Sequence, residues 1–313
     1  MAYSLDDKMV IGVSSRALFD MSVENEIFEN EGVEAYAAYQ IEHENEVLKP
    51  GPGFELIKKL LRLNESFRDR EPVEVVIMSR NSSDTSIRVF NSIDYYGLKI
   101  TRAVLASGAS LAPYLSAFKT DLFLSAYEDD VQSAIDSGIA AGIICTNGDN
   151  EEYINNLNAL AEEIRIAFDG DAVVFSDESE QIYQAKGLSA FEENEAIHAD
   201  TPLSKGPFAK FLIKLSILQK EIGREKCPIR TALVTARSAP AHMRVLRTLR
   251  SWNVGVDEVF FLGGMEKKEF LKAFGAHIFF DDQSVHIDKA SEAVPSARVP
   301  YRRSIKENES NDP

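Results

Sequence analysis

The sequence predicts an α/β fold of two tandem domains, each a parallel sheet flanked by helices and carrying a small inserted cap. Three observations predict it. Short apolar runs alternate with amphipathic stretches along the chain, the pattern of βα units. The chain also matches itself at an offset of 155 positions. Finally, one apolar run, Ile164-Arg165-Ile166-Ala167-Phe168, stops at two carboxylates one residue apart, in Asp169-Gly170-Asp171. A strand buried on both faces reads as a continuous apolar run, and open α/β sheets bind ligands at the carboxyl ends of their strands.

The self-match sets the domain organisation. At the 155 offset Ile11 falls on Ile166, Ala17 on Ala172, Ile27 on Ile182, Gly32 on Gly187, Ala35 on Ala190 and His43 on His198. Leu48 falls on Leu203, Gly51-Pro52 on Gly206-Pro207, and Lys59-Leu60 on Lys214-Leu215. With one added residue the match resumes: Arg88-Val89 on Arg244-Val245, Gly108 on Gly264, Ala117-Phe118 on Ala273-Phe274. A period this long is a duplicated domain and not a solenoid repeat. The expected division is a first domain over 8–148, a linker helix over 149–163, a second domain over 164–303, and a disordered acidic tail over 304–313.

In the first copy the apolar runs at 9–13, 73–78, 100–105, 122–124 and 141–145 read as strands. In the second copy the corresponding runs are 164–168, 232–234, 258–262, 277–280 and 297–300. Helical periodicity marks 207–221, 241–252 and 267–274. More than fifty residues separate the first two strands of each copy, too many for a plain crossover, so a cap is expected there, about 178–230 in the second copy.

Composition narrows the class. The net charge of −16 argues against a nucleic-acid surface. No apolar stretch approaches the roughly 20 residues that cross a bilayer, and the polar N-terminus is no secretory signal. Cys145 and Cys227 stand far apart and read as thiols of a reducing, cytoplasmic compartment. The five histidines show no metal-ligand spacing.

The chemistry-bearing residues lie at strand ends of the second copy only. Asp169 and Asp171 follow the first strand. Thr235 follows the second, in Val234-Thr235-Ala236-Arg237-Ser238, where a hydroxyl and main-chain amides can seat a phosphate. Lys267 follows Gly263-Gly264, and the acids Asp281-Asp282 end the fourth strand. Crowded acids call for a cation or a shared proton. The first copy has Ser14, Arg16, Ser79, Leu111, Ser125 and Ala126 at these places. An acid replaced by Arg16 turns a cation site toward anions; otherwise this copy is a scaffold, packed on the second copy or on another subunit.

The order Asp-x-Asp, Thr, Lys, Asp-Asp, each after a strand, resembles the haloacid dehalogenase superfamily of aspartate-nucleophile phosphohydrolases. Longer blocks are similar to the cytosolic 5'-nucleotidase type I family: Val13-Ser14-Ser15-Arg16-Ala17-Leu18-Phe19, Ala167 to Val173, Phe175-Ser176-Asp177-Glu178-Ser179-Glu180, Val234 to Ala239, Leu249-Arg250-Ser251-Trp252 and His277 to Gln283. The resemblance implies two haloacid-dehalogenase-like (Rossmannoid) domains, the N-terminal one degenerate. It implies Mg²⁺-dependent hydrolysis of nucleoside 5'-monophosphates such as AMP and IMP.

By that resemblance Asp169 is the nucleophile and Asp171 the acid/base. Thr235, Ala236 and Lys267 bind phosphate, and Asp169, Asp171, Asp281 and Asp282 form the metal site, with the direct ligand among the last two left open. The small-molecule substrate is the expected partner, together with further copies of the chain in a homo-oligomer. A phosphotransferase using the same aspartyl-phosphate, or a non-catalytic nucleotide-binding protein, are the alternatives. Arg237 and Ser238 either line the phosphate seat or sit on the surface. His198, Tyr183, Phe191 and Phe208 are the candidates for contact with a base.

Overall fold

The computed structural model describes residues 3–145 and 163–303. The expected linker helix, apart from Glu163, and the expected tail lie outside the described residues. The chain divides into two compact units, one running to Val131 and resuming at Ile143, the other taking Gln132–Gly142 and the described residues from 163 onward.

The strands, in order, are β1 (Met9–Val13), β2 (Phe19–Asp20), β3 (Lys49–Pro50), β4 (Val73–Ser79), β5 (Arg102–Leu105), β6 (Leu122–Ser125) and β7 (Ala140–Ile144). They continue with β8 (Ile164–Phe168), β9 (Ile229–Thr235), β10 (Glu258–Phe261), β11 (Ile278–Asp281) and β12 (Ser296–Arg298). In the first unit the order is β6-β1-β4-β5, all parallel, with β2 and β3 forming a small antiparallel pair. In the second it is β10-β9-β8-β11-β12, again all parallel. The order β11-β8-β9-β10 therefore reproduces β6-β1-β4-β5.

Every residue of β1, β4 and β6 is buried, as expected of parallel strands covered on both faces. In the second unit, Phe168 of β8 stacks on Phe280 of β11 with ring centroids 5.7 Å apart. Phe208 packs on Phe280 at 4.5 Å, so Phe208 belongs to the core and not to a base-binding surface. The strand ending in Thr235 is longer than the apolar run alone indicates. Ile229-Arg230-Thr231 alternates in polarity yet pairs with Ile164–Ile166 and extends β9 toward its start.

Between β8 and β9 come two distinct pieces. The helical stretch Glu178–Ile197 is broken at Gly187, whose φ of +80° suits a residue without a Cβ. Ala209–Ile222 buries Phe211, Leu212 and Leu215 and carries the crossover to β9. The first unit has the same plan: helices Ser22–Glu31 and Val33–Glu42 meet at Gly32, φ +88°, and Phe54–Arg62 follows.

One detail of the sequence match is corrected. Gly51 N donates to Leu18 O, and Gly206 N donates to Val174 O, both at 2.9 Å. Likewise Gly53 N donates to Ala17 O and Phe208 N to Val173 O, so Ala17 stands in the place of Val173, not Ala172. The turn after β8 holds one residue more than the turn after β1. Ala172, Val173 and Val174 lie in that turn, and Phe175, just after it, makes an isolated antiparallel bridge to Lys205.

Candidate active site

Strand tips build the site. Asp169 N donates to Phe280 O at 2.8 Å, which carries the β8–β11 register one residue past the strand and fixes the Asp169 main chain. The chain then makes a wide turn over Gly170–Val174, with Ala172 at φ +61°. Gly170 passes close to Thr235: a Cβ there would lie 3.3 Å from Thr235 Oγ1, a tight contact. β11 ends in Asp281, and Asp282 follows. Lys267, just ahead of the helix Lys268–Phe274, reaches across the tips. Its Nζ lies 2.6 Å from Asp169 Oδ1 and 2.6 Å from Asp281 Oδ2. Carboxylate oxygens of Asp169, Asp281 and Asp282 all lie within 4.8 Å of one another, and all three residues are buried.

Three carboxyls thus face one ammonium. Burial pushes the Asp169 carboxyl well above the usual carboxylate range; Lys267 opposes this, while the charges of Asp281 and Asp282 add to it. Burial alone would lower Lys267, but Asp169 and Asp281 outweigh it and keep the ammonium charged. Asp281 is held low against burial by Lys267 and by His286, whose Nδ1 is 3.2 Å away. Its other oxygen accepts from Gln283 N at 2.9 Å. Asp282 is pushed up to about 6, first by burial, with the Tyr301 hydroxyl opposing as a donor to Oδ2. This surplus of buried negative charge is what a hard divalent cation with oxygen ligands would offset, so the donor set fits a metal such as Mg²⁺.

Asp171 is placed differently from its neighbour. Its carboxylate is turned to Arg237, which donates from Nε and Nη2 at 2.8 and 2.7 Å. Sequence reasoning expected carboxylate neighbours around Asp171; its bonded partner is a guanidinium. Arg237 is 4% exposed and so is not a surface side chain. Its Nη1 also donates to Glu195, from the inserted stretch, and its Cζ lies 5.2 Å from the Phe191 ring centroid. Glu195 is fully buried, accepting from Arg244 Nη1 and Ser179 Oγ, each at 2.8 Å. Burial opposes its ionisation, but Arg237, Ser179 and Arg244 hold its pKa below the usual range.

Thr235 is buried, with its Oγ1 accepting from Arg237 N at 3.2 Å, and Ala236 beside it is exposed. Ser238 is exposed too. His198 is exposed and its Nδ1 lies 2.9 Å from Asn194 O. Tyr183 packs edge-on against Phe191 at 6.3 Å. Glu195, His286 and Tyr301 carry no sequence signal for their places here. Glu195 is one of several acids in a stretch without a clear apolar stripe. Tyr301 follows the last strand, and only the fold brings it to Asp282.

The chain matches the family model described as 5'-nucleotidase over residues 1–306. It is 41% identical over 292 residues to Cytosolic 5'-nucleotidase 1B of Homo sapiens, an alignment covering 90% of this chain and 47% of that protein. The chain thus spans about half the length of the curated relative it matches.

Proposed function

Because this chain belongs to the 5'-nucleotidase family, we propose that it hydrolyses nucleoside 5'-monophosphates, AMP and IMP among them, to nucleoside and phosphate. The observation that carries this reading is the gathering of Asp169, Asp281 and Asp282 around Lys267 at the strand tips of the second unit. Asp169 attacks phosphorus, forming an aspartyl-phosphate as the bond to the 5'-oxygen breaks. Asp171 gives that oxygen its proton, then takes one from the water that cleaves the aspartyl-phosphate. Arg237 fixes where the Asp171 carboxylate points. Lys267, Thr235 and the main chain at Ala236 hold the phosphoryl oxygens.

Asp169, Asp282 and the main-chain carbonyl of Asp171 are the groups that would hold Mg²⁺, since both oxygens of Asp281 already have partners. Bound there, the ion would offset the repulsion between a carboxylate and a phosphate dianion.

The two units read as a duplicated pair of which the second is active. The relative's name places that protein in the cytosol, and among the described residues no helix is long and apolar enough to cross a membrane. A cytosolic location for this chain accords with both.

The test is phosphate release from AMP in the presence of Mg²⁺. Release should stop on adding EDTA and resume with excess Mg²⁺. Release that persists in EDTA, or none from any nucleoside monophosphate, rejects the reading.

A further inference from the structure

The carboxyl edge of β6-β1-β4-β5 keeps the hydrogen-bonded frame of the second unit's site while reversing its charge. Ser14 N donates to Leu124 O at 2.9 Å, as Asp169 N does to Phe280 O. Asn81 N donates to Ser79 Oγ at 3.1 Å, as Arg237 N does to Thr235 Oγ1. Tyr127 N donates to Ser125 Oγ at 3.1 Å, as Gln283 N does to Asp281 Oδ1. Even the loop after β5 repeats the loop after β10. Ser107 and Gly108 take φ of +47° and +88° where Gly263 and Gly264 take +56° and +86°. A non-glycine residue held at positive φ is a strained choice, retained because the surrounding loop dictates it.

Into this frame the sequence puts Ser14, Ser125 and Ala126 where the second unit has Asp169, Asp281 and Asp282. A divalent cation loses its carboxylates. Arg16 contributes the opposite charge, half-buried, with its guanidinium 5.0 Å from the Tyr127 ring centroid. The chain holds 50 acidic residues against 34 Lys and Arg, yet Arg16 has no carboxylate partner among the described residues. Arg80 flanks the same ring at 5.9 Å but is neutralised by Asp130, which it grips with Nε and Nη2 at 2.7 to 3.1 Å, and Asp129 adds to that field. Beside Arg16, the buried hydroxyls of Ser15 and Ser79 lie 3.3 Å apart.

We propose that this edge of the first unit is a metal-independent site for a phosphate-class anion, either a phosphate monoester or free phosphate, with Arg16 as its cation. A guanidinium presents a planar fork of donors that matches two phosphate oxygens, and the Tyr127 face holds that plane in place. The Ser15 and Ser79 hydroxyls supply further donors. The site takes the anion that the second unit would hydrolyse, or its product, without the groups that could attack it.

Full-length Asp169→Asn protein, kept in EDTA, is titrated calorimetrically with AMP and separately with inorganic phosphate. Saturable binding of either probe is expected. Arg16→Ala in the same background should weaken it at least about tenfold, and Arg16→Lys by less, because the charge survives while the fork is lost. Phosphate competing with AMP would show that the phosphoryl group is what binds; AMP binding alone would show that the nucleoside is needed as well. No binding of either probe up to millimolar concentration, or binding unchanged by Arg16→Ala, overturns the proposal. Arg16 has no ion pair to lose, so Arg16→Ala should stay folded, its melting temperature lowered by no more than the loss of the contact with Tyr127. Phosphate release surviving in Asp169→Asn would count against Asp169 as the nucleophile and would leave the calorimetric result, taken in EDTA, interpretable.

Discussion

At the carboxyl ends of its strands the first unit places Ser14, Ser125 and Ala126 where the second places Asp169, Asp281 and Asp282, and outside one turn the main chain follows the same course. Strand order, the glycine break in the inserted helices and the hydrogen bonds at the strand tips recur. Apart from the extra residue in the turn after β8, the difference lies in side chains. Both units also lock the inserted helices with a buried arginine. Arg88 donates to Glu24 at 2.5 Å and to Glu46 O at 2.9 Å; Arg244 donates to Glu195 at 2.8 Å and to Thr201 O at 2.9 Å. In the second unit alone the acid of that lock also holds Arg237, and through it Asp171. The comparison teaches that the frame folds without the chemistry, and that the chemistry is an addition of about half a dozen side chains to a frame already stable.

The largest expected effect separates Asp169 from its counterpart. Asp169→Asn should lower phosphate release from AMP roughly 10³-fold or more, the scale for loss of a nucleophile. Ser14→Ala should leave release within about twofold. Ser14 Oγ accepts from Ala17 N at 3.2 Å, so its removal should instead cost about 0.5–1 kcal/mol of stability. Initial rates and thermal midpoints on the two variants check both halves. A large activity loss in Ser14→Ala would break the comparison.

The next effect tests whether the inserted helices are coupled to the chemistry. Arg237→Ala frees the Asp171 carboxylate and leaves Glu195 with Arg244 as its remaining guanidinium. Removing one partner of a buried ionic network costs about 3–5 kcal/mol. Loss of the orienting contact should lower kcat roughly 10–100-fold with a smaller change in KM. Arg237→Lys keeps the charge and should recover part of kcat. The first-unit counterpart, Asn81→Ala, should change neither constant. Assays at a temperature where circular dichroism shows the variant folded separate the two costs, and wild-type kcat in Arg237→Ala would uncouple the helices from the site.

Much of this arrangement was legible in the sequence. The apolar runs located the strands because parallel strands buried on both faces leave little room for polar residues. Asp169, Lys267, Asp281 and Asp282 were legible because each follows a run, and the fold places run ends side by side. Family membership, read from the motif blocks, is borne out by the match over nearly the whole chain. Three features were not legible. The extra residue in the turn after β8 leaves the flanking pattern intact, and a chance Ala17–Ala172 identity concealed it. Arg237 looks like any arginine at a helix approach until the inserted helices supply Glu195 and Phe191. His286 and Tyr301 reach the acids by tertiary placement alone, which no local period encodes.

The smallest effect sharpens the comparison at the last pair of positions, Asp282 and Ala126. Asp282 stands at about 6 against an ordinary value near 3.8, so in the metal-free protein the folded state keeps a proton that the unfolded chain releases between those values. The unfolded state then binds fewer protons, and stability falls as pH rises from about 4 through 6. The contribution is fully present below pH 4, and its loss amounts to at most about 3 kcal/mol. Asp282→Asn cannot ionise and should lack this component, so in EDTA the thermal midpoint of the wild type should fall relative to that of the variant as pH is raised from 4 to 6.5. Added Mg²⁺ should reverse the trend for the wild type, because the ion takes the deprotonated carboxylate and its stabilisation grows as the proton leaves. Ala126 has nothing to titrate, so the first unit contributes no such pH dependence at this position. Parallel midpoints for wild type and Asp282→Asn across that range would mean that burial, with the charge of Asp281, does not raise the Asp282 carboxyl, and the contrast between the two units would then lose its electrostatic half.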